Sequence, residues 1–335
     1  MTPDPVILFF LLGLLARLLK SDLRVPEPVY ETLTVYLLLA LGIKGGVELA
    51  RYPFTDLAPQ MAAVVAMGCV LPVIAFALLR AGGRLGRADA GAIAAHYGSV
   101  SVVTFAAGMA WVEARGMPVE PYLPLFVALL EAPGIIVGVM LARGAWGGSA
   151  SVDGTGADSA GADSAGAGGN AAPPWAGLLR EVMTGKSVVL LLGGLAIGAA
   201  LGPDGVKPVA PWFFDLFKGA LCLFMLELGL VTARQLGALR ASGAFLVAFG
   251  IFMPLLSGVI GAALGVLLGL SEGGATMLAV LAASASYIAA PAAVRVAVPQ
   301  ANPGLSLPIV LGVTFPFNLL AGFPLYHAFV MVLKG

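Results

Sequence analysis

The chain has 335 residues, 59% of them hydrophobic and 11% charged, with a formal net charge of zero. A soluble domain carries about 25% charged residues, so lipid is the main solvent here, and the balanced charge excludes the basic face that binds nucleic acid. Cys69 and Cys222 both fall in apolar stretches, which excludes a disulfide framework or a zinc spacing and leaves core packing. The only histidines are His96 and His327, too few for a multi-histidine metal centre.

The N-terminus carries Asp4 and no Lys or Arg before its first apolar run, which argues against a cleaved leader with a basic start. The expected fold is an all-α polytopic membrane protein. Ten apolar spans are predicted, at 5–19, 28–50, 57–80, 90–113, 120–143, 186–202, 208–234, 241–270, 273–298 and 304–332. Crossing the hydrocarbon takes about 20 apolar residues, so the first and sixth spans are short. The second span holds Lys44 and Glu48, four residues apart and expected to pair along one helix face.

The fourth span contains AAHYGSVSVVTF at 94–105. A glycine and three hydroxyls in an apolar helix predict a break at Gly98, Ser99, Val100 and Ser101, with Thr104 just beyond. Broken backbone at membrane depth exposes free N–H groups and the positive end of a half-helix, which suits an anion. No Lys or Arg accompanies the break, so a small, weakly charged anion fits better than a phosphate. The competing reading is structural: hydroxyls bond back to the preceding turn and glycine allows close packing.

The fifth span carries Glu131 in LFVALLEAPGIIVG, next to Pro133. An intramembrane carboxylate is a functional candidate by default. Sodium coordination, proton titration and a structural pair with a helix-end donor all remain open. Residues 144–177 follow as a low-complexity Gly/Ala/Ser/Asp linker, with Gly-Ala-Asp-Ser-Ala at 156–160 and again at 161–165; it cannot bury a core.

The second half, 178–335, repeats the first in order. Leu41-Gly42 parallels Leu228-Gly229, and Ala66-Met67-Gly68…Pro72 parallels Ala248-Phe249-Gly250…Pro254. Ser99-Val100-Ser101 parallels Ser284-Ala285-Ser286, and Leu123-Pro124 parallels Leu307-Pro308. Five spans per repeat give residues 1–143 and 178–335 opposite orientations, the inverted-repeat plan of secondary transporters. The ninth span is therefore expected to break at Ser284, Ala285, Ser286 and Tyr287, ahead of Pro291, facing the first break. In the tenth span, GVTFPFNLLAG offers Thr314 and Asn318 as sodium ligands beside a carbonyl freed by Pro316, with interhelical hydrogen bonding as the alternative for Asn318.

With residues 20–27 placed inside, Lys20, Arg24, Arg80, Arg84, Arg87, Arg143, Arg180, Lys186, Arg234, Arg240 and Arg295 lie at inner ends, against Arg51, Arg115, Lys207 and Lys334 outside. Both termini are then external and the linker is cytoplasmic. The sequence has no HExxH, no GxSxG and no paired intramembrane aspartates, so an enzyme is not expected.

The segments YLLLALGIKGGVELA, AAHYGSVSVVTF, EAPGIIVG, LCLFMLELGLV, SYIAAPAAVR and ANPGLSLPIVLGVTFPFN resemble the sodium-dependent bicarbonate transporter family of the cyanobacterial high-affinity type. The resemblance covers about 5–143 and 178–332. It implies crossing of spans four and nine, with bicarbonate and co-transported sodium held at Gly98, Ser99, Val100, Ser101, Thr104, Ser284, Ala285, Ser286 and Tyr287. It also implies a homotrimer in the plasma membrane and a PII-like regulatory protein on the cytoplasmic side. Another small anion, or a carboxylate-coupled cation antiport centred on Glu131, is the alternative to sodium–bicarbonate symport.

Overall fold

A computed structural model describes residues 4–49, 54–144, 180 and 183–335. Apart from Gly144, the predicted linker 144–177 lies outside the described residues. Those described form helices and no strand. In chain order these are α1 (Pro5–Leu18), α2 (Glu27–Leu49), α3 (Phe54–Ala81), α4 (Arg87–Gly98), α5 (Val102–Glu113) and α6 (Leu123–Arg143). After the linker come α7 (Lys186–Gly205), α8 (Phe217–Leu267), α9 (Glu272–Ala283), α10 (Ala289–Ala297) and α11 (Pro303–Lys334).

Among the described residues, eight helical stretches are long and apolar enough to cross a membrane, counting α4 and α5 as one stretch across their break. They include Pro211–Leu239, which runs from a π turn at Pro211–Asp215 into the first part of α8, and Ser242–Leu267, the second part of α8; at Gly243 φ is 79° and the helix turns a corner. Only a residue without Cβ takes that backbone cheaply. α1 and α9 are apolar but shorter. The 14 residues of α1 reach about 21 Å against a hydrocarbon core of about 30 Å. In α11, Pro316 lacks the N–H that a continuous helix needs, and wide π turns at Val310–Thr314 and Asn318–Gly322 flank it.

Burial sorts the helices. In Arg87–Glu113, 89% of the apolar window is buried, against 28% in Lys186–Gly205. The broken stretch is thus the centre of the protein and α7 lies at its edge. On α1, Leu8, Leu12, Leu15 and Leu19 form an exposed stripe, a face that suits lipid and would be a liability in water.

The two halves interlock. α2 packs along α7 and α1 along α8. At the first crossing, a Cβ on Gly42 would meet the Gly194 Cα at 2.9 Å; at the second, a Cβ on Gly229 would meet the Gly13 Cα at 3.0 Å. Bare backbone on both sides lets each helix pair approach to contact. α2 and α7 run in the same direction, since Gly42 faces Leu191 and Gly194 while Gly46 faces Leu195 and Ala199. α4 runs antiparallel to α6: Gly91 meets Ala142, Ala95 meets Gly138 and Gly98 meets Gly134. Lys44 makes a salt bridge with Glu113 of α5, at 2.9 Å.

Candidate functional site

α4 stops at Gly98 and α5 begins at Val102, so the backbone is extended between them, with Ser99 at φ −99°, ψ 167° and Ser101 at φ −108°, ψ 113°. Ser101 caps α5 by accepting the Thr104 N–H on its hydroxyl at 3.1 Å. The second break runs from Ser284 to Ile288, longer than its counterpart. Pro291 falls in the first turn of α10, where its missing N–H costs nothing.

The breaks lie against each other. The Ser101 N–H donates to Ser284 Oγ at 3.0 Å, and the Ser286 N–H donates to the His96 carbonyl at 2.9 Å. His96 Nδ1 stands 2.6 Å from the Ser286 carbonyl. A carbonyl only accepts, so Nδ1 carries the hydrogen. Ser99 donates to the Glu131 carbonyl at 3.0 Å, tying the first break to α6. Behind it, Gly134 of α6 lies directly against the Gly98 carbonyl.

A small void opens at this junction, lined by Val100, Ser101, Val102, Val103, Glu131, Ser187, Ser286, Tyr287, Ile288 and Ala289. It shares Glu131, Ser187, Ile288 and Ala289 with a crevice of about 160 Å³ that runs past Gly185 and Lys186 at the N-terminal end of α7. The N-termini of α5 and α10 both face the void with their positive dipole ends; Ser101 Oγ holds the Thr104 N–H and Ser286 Oγ the Ala290 N–H at 3.2 Å, which leaves Val102, Val103 and Ala289 as the first-turn donors. Glu131 completes the lining with its carboxyl. Its side chain is 2% exposed, the Ser187 hydroxyl faces its carboxylate, and its Oε2 has no hydrogen-bond partner. The Tyr287 hydroxyl is also buried without a partner; Ser101 stands beside it without closing a hydrogen bond.

Of the predicted binding residues, Val100, Ser101, Ser286 and Tyr287 line the void together with Glu131. Ser99 and Ser284 spend their hydroxyls on backbone, Ser99 on Glu131 and Ser284 on the Leu281 carbonyl at 2.8 Å. Gly98 packs on Pro72 and Gly134, Thr104 sits in the first turn of α5, and Ala285 packs with Tyr97 and Phe249. Thr314 and Asn318 are not brought to Glu131. Thr314 donates to the Gly250 carbonyl at 2.7 Å and its oxygen lies 2.6 Å from the Tyr97 hydroxyl. Asn318 donates to the Ala283 carbonyl at 2.9 Å and accepts from Tyr326. Sequence reasoning missed Ser187. Its only signal was a lone hydroxyl at the start of an apolar span.

A larger cavity, about 750 Å³, lies elsewhere among the described residues. Lys44, Glu48, Glu113, Glu120, Lys218 and three phenylalanines line it, and no predicted site residue does. It lies at the C-terminal end of α2, and α2 and α7 run parallel. It therefore opens at the end opposite to the crevice. Among the described residues no three His, Cys, Asp or Glu side chains cluster to hold a metal.

The sequence profile of the Na⁺-dependent bicarbonate transporter superfamily matches residues 5–331, nearly the whole chain. The chain belongs to this superfamily. As a member it is a multi-pass membrane protein of a transporter family, with bicarbonate and sodium as the substrates named for it. No curated protein matches the chain.

Proposed function

We propose that this superfamily member is a sodium-coupled symporter that imports bicarbonate across the plasma membrane by alternating access. The observation that carries this reading is the void where two helix N-termini meet the Glu131 carboxyl, whose Oε2 has no partner. The N-termini suit the anion, and the carboxylate suits the cation. Bicarbonate lies between the breaks, touching Ser101, Ser286, Tyr287 and the backbone at Val100. Sodium travels as cargo beside Glu131; Thr314 and Asn318 serve it by exchanging their present hydrogen bonds for the ion.

The ten predicted spans form two inverted repeats, 1–143 and 178–335, with broken helices four and nine crossing at mid-depth and the linker 144–177 cytoplasmic. Repeated contacts support the duplicated plan. Gly42 meets Gly194 as Gly229 meets Gly13. Gly68 faces Leu130 and Pro133 of the fifth span, and its counterpart Gly250 faces Ile309 and Val313 of the tenth. The excess of Lys and Arg at the α7 N-terminal end orients that end to the cytoplasm, with both termini outside, so the crevice gives the site an inward path. Spans three to five and eight to ten move against a scaffold of the remaining four. The family resemblance adds a homotrimer and a cytoplasmic PII-like regulator to this reading.

Coupling has an energetic reason. Moving one negative charge into a negative-inside cell costs about 2.3 kcal/mol per 100 mV. One co-transported Na⁺ cancels that, and a tenfold Na⁺ gradient then drives uptake by about 1.4 kcal/mol. The test is radiolabelled bicarbonate uptake into proteoliposomes with external Na⁺ or K⁺, with Ser99→Ala/Ser101→Ala alongside. Uptake that requires Na⁺ and is lost in the double variant is expected. Uptake indifferent to Na⁺ would refute the coupling.

The unpartnered oxygen of Glu131 favours one second reading, carboxylate-coupled cation antiport. Flux that ignores Na⁺, follows pH and vanishes in Glu131→Gln would establish it in place of symport.

A further inference from the structure

Two residues that line the void carry a buried polar atom without a partner: Tyr287, whose hydroxyl can donate, and Glu131, whose Oε2 accepts when the carboxylate is ionised. Around them stand the N-termini of α5 and α10, whose remaining first-turn donors are the N–H groups of Val102, Val103 and Ala289. An ionised carboxylate only accepts. At about 10 Å³ the void has room for no more than a water; a ligand that satisfies the whole set once the breaks part to admit it is a small planar anion that accepts on most of its edge and donates at one point.

Bicarbonate is such an anion: two oxygens share its charge and the third carries a proton. We propose that Glu131 is the specificity-determining residue of this site, its Oε2 accepting the O–H of bicarbonate, while Tyr287 and the first-turn N–H groups of α5 and α10 donate to the two charged oxygens. The second carboxylate oxygen, which the Ser187 hydroxyl faces, is shared with the co-transported cation, whose charge offsets the meeting of two anions. This inference rests on the transport reading above and deepens it, because that reading gives no reason why one small anion is preferred to another.

Nitrate is the informative competitor. It matches bicarbonate in charge and trigonal planar shape and lacks only the proton. Against Glu131 it leaves Oε2 unpaired and sets two lone pairs against each other. Sites built around a substrate hydroxyl reject the analogue that lacks it far more strongly than apolar pockets reject a methylene. The discrimination is thus a clash designed against the wrong anion as well as a bond to the right one.

The experiment uses the full chain in proteoliposomes with Na⁺ present. Sodium nitrate competes against radiolabelled bicarbonate uptake, and thermal stabilisation of the purified protein by each salt is followed in parallel. In the wild type, nitrate is expected to compete at least about a hundredfold more weakly than bicarbonate. In Glu131→Gln, whose amide N–H₂ can donate to nitrate, bicarbonate weakens and nitrate stabilises at least about tenfold more effectively than in the wild type. Tyr287→Phe removes a donor common to both anions, so it weakens both and leaves their ratio unchanged. Nitrate competing as well as bicarbonate in the wild type overturns the proposal, and it does so even if no variant folds. Loss of both anions together in a folded Glu131→Gln also overturns it, since that outcome belongs to a residue that serves only the cation. Either result leaves the transport reading standing. Wild-type protein that takes up no bicarbonate at all removes that reading, and this inference with it.

Discussion

Gly134→Ala is the substitution that most directly probes the first break. A Cβ at this position would be driven into the Gly98 carbonyl and would lie 2.5 Å from the Ser99 nitrogen. Ordinary contacts of this kind are about 3.5–4.0 Å, so α6 and the break must separate by at least about 1 Å. Both partners are backbone, and neither can rotate away. Overpacking of this sort costs about 1–3 kcal/mol, and two unyielding sides place it at the upper end. The displacement matters more for the site. The bond from the Ser101 N–H to Ser284 Oγ is 3.0 Å; lengthened by about 1 Å it leaves hydrogen-bond range, and the two breaks lose register. The assay is the initial rate of Na⁺-driven bicarbonate uptake per reconstituted protein, with thermal unfolding measured on the same preparation. The expected result is at least a tenfold loss of rate in protein that still folds. Wild-type rates would show that the contact between α6 and the break does not hold the site together.

Other substitutions probe parts of the fold with different readouts. On α7, Gly193 has open space around its Cβ position while Gly194 meets the Gly42 Cα and the Leu39 carbonyl, each at 3.0 Å; Gly193→Ala is expected to be neutral or stabilising by up to about 1 kcal/mol and Gly194→Ala to lower the melting temperature and the yield of folded protein. His96→Leu strands the Ser286 carbonyl and is expected to cost about 1–3 kcal/mol, read as a lower melting temperature together with reduced uptake. The Lys44–Glu113 pair is about half exposed on both sides, so Lys44→Met should change stability by no more than about 1 kcal/mol, and a large loss in thermal unfolding would mean the pair is far less solvated than its geometry indicates. Tyr97→Phe removes one of the two partners of Thr314, with an expected cost of about 1 kcal/mol and no change in Na⁺ dependence of uptake.

The helical spans were legible because hydropathy needs no knowledge of partners: each long span announces its own solvent. The first break was legible for a related reason, since Gly98 and its flanking serines violate helix preference locally, and the matching serines at 284 and 286 repeat the violation. What a side chain touches was less accessible. Thr314 and Asn318 have the chemistry of cation ligands, but sequence could not say that Gly250 and Ala283 carbonyls already occupy them. Lys44 reaches Glu113 on α5, a tertiary contact of which its own helix gives no sign. Ser187 reaches Glu131 only through the packing of α7 beside α6, and no local pattern encodes that meeting.

The interlocking of the halves bears on how the protein is made. The partners of α1 and α2 are α8 and α7, which begin at Phe217 and Lys186. At about 5–20 residues per second, the ribosome needs on the order of 10 s or more to deliver them. During that interval the glycine faces at Gly13 and Gly42 stand in the bilayer without their mates, in easy reach of any other small-residue helix. Biogenesis of this transporter therefore depends on whatever keeps the first two helices apart from neighbours until the second half arrives. By the same logic the two halves, expressed as separate chains, should accumulate only when they are made together.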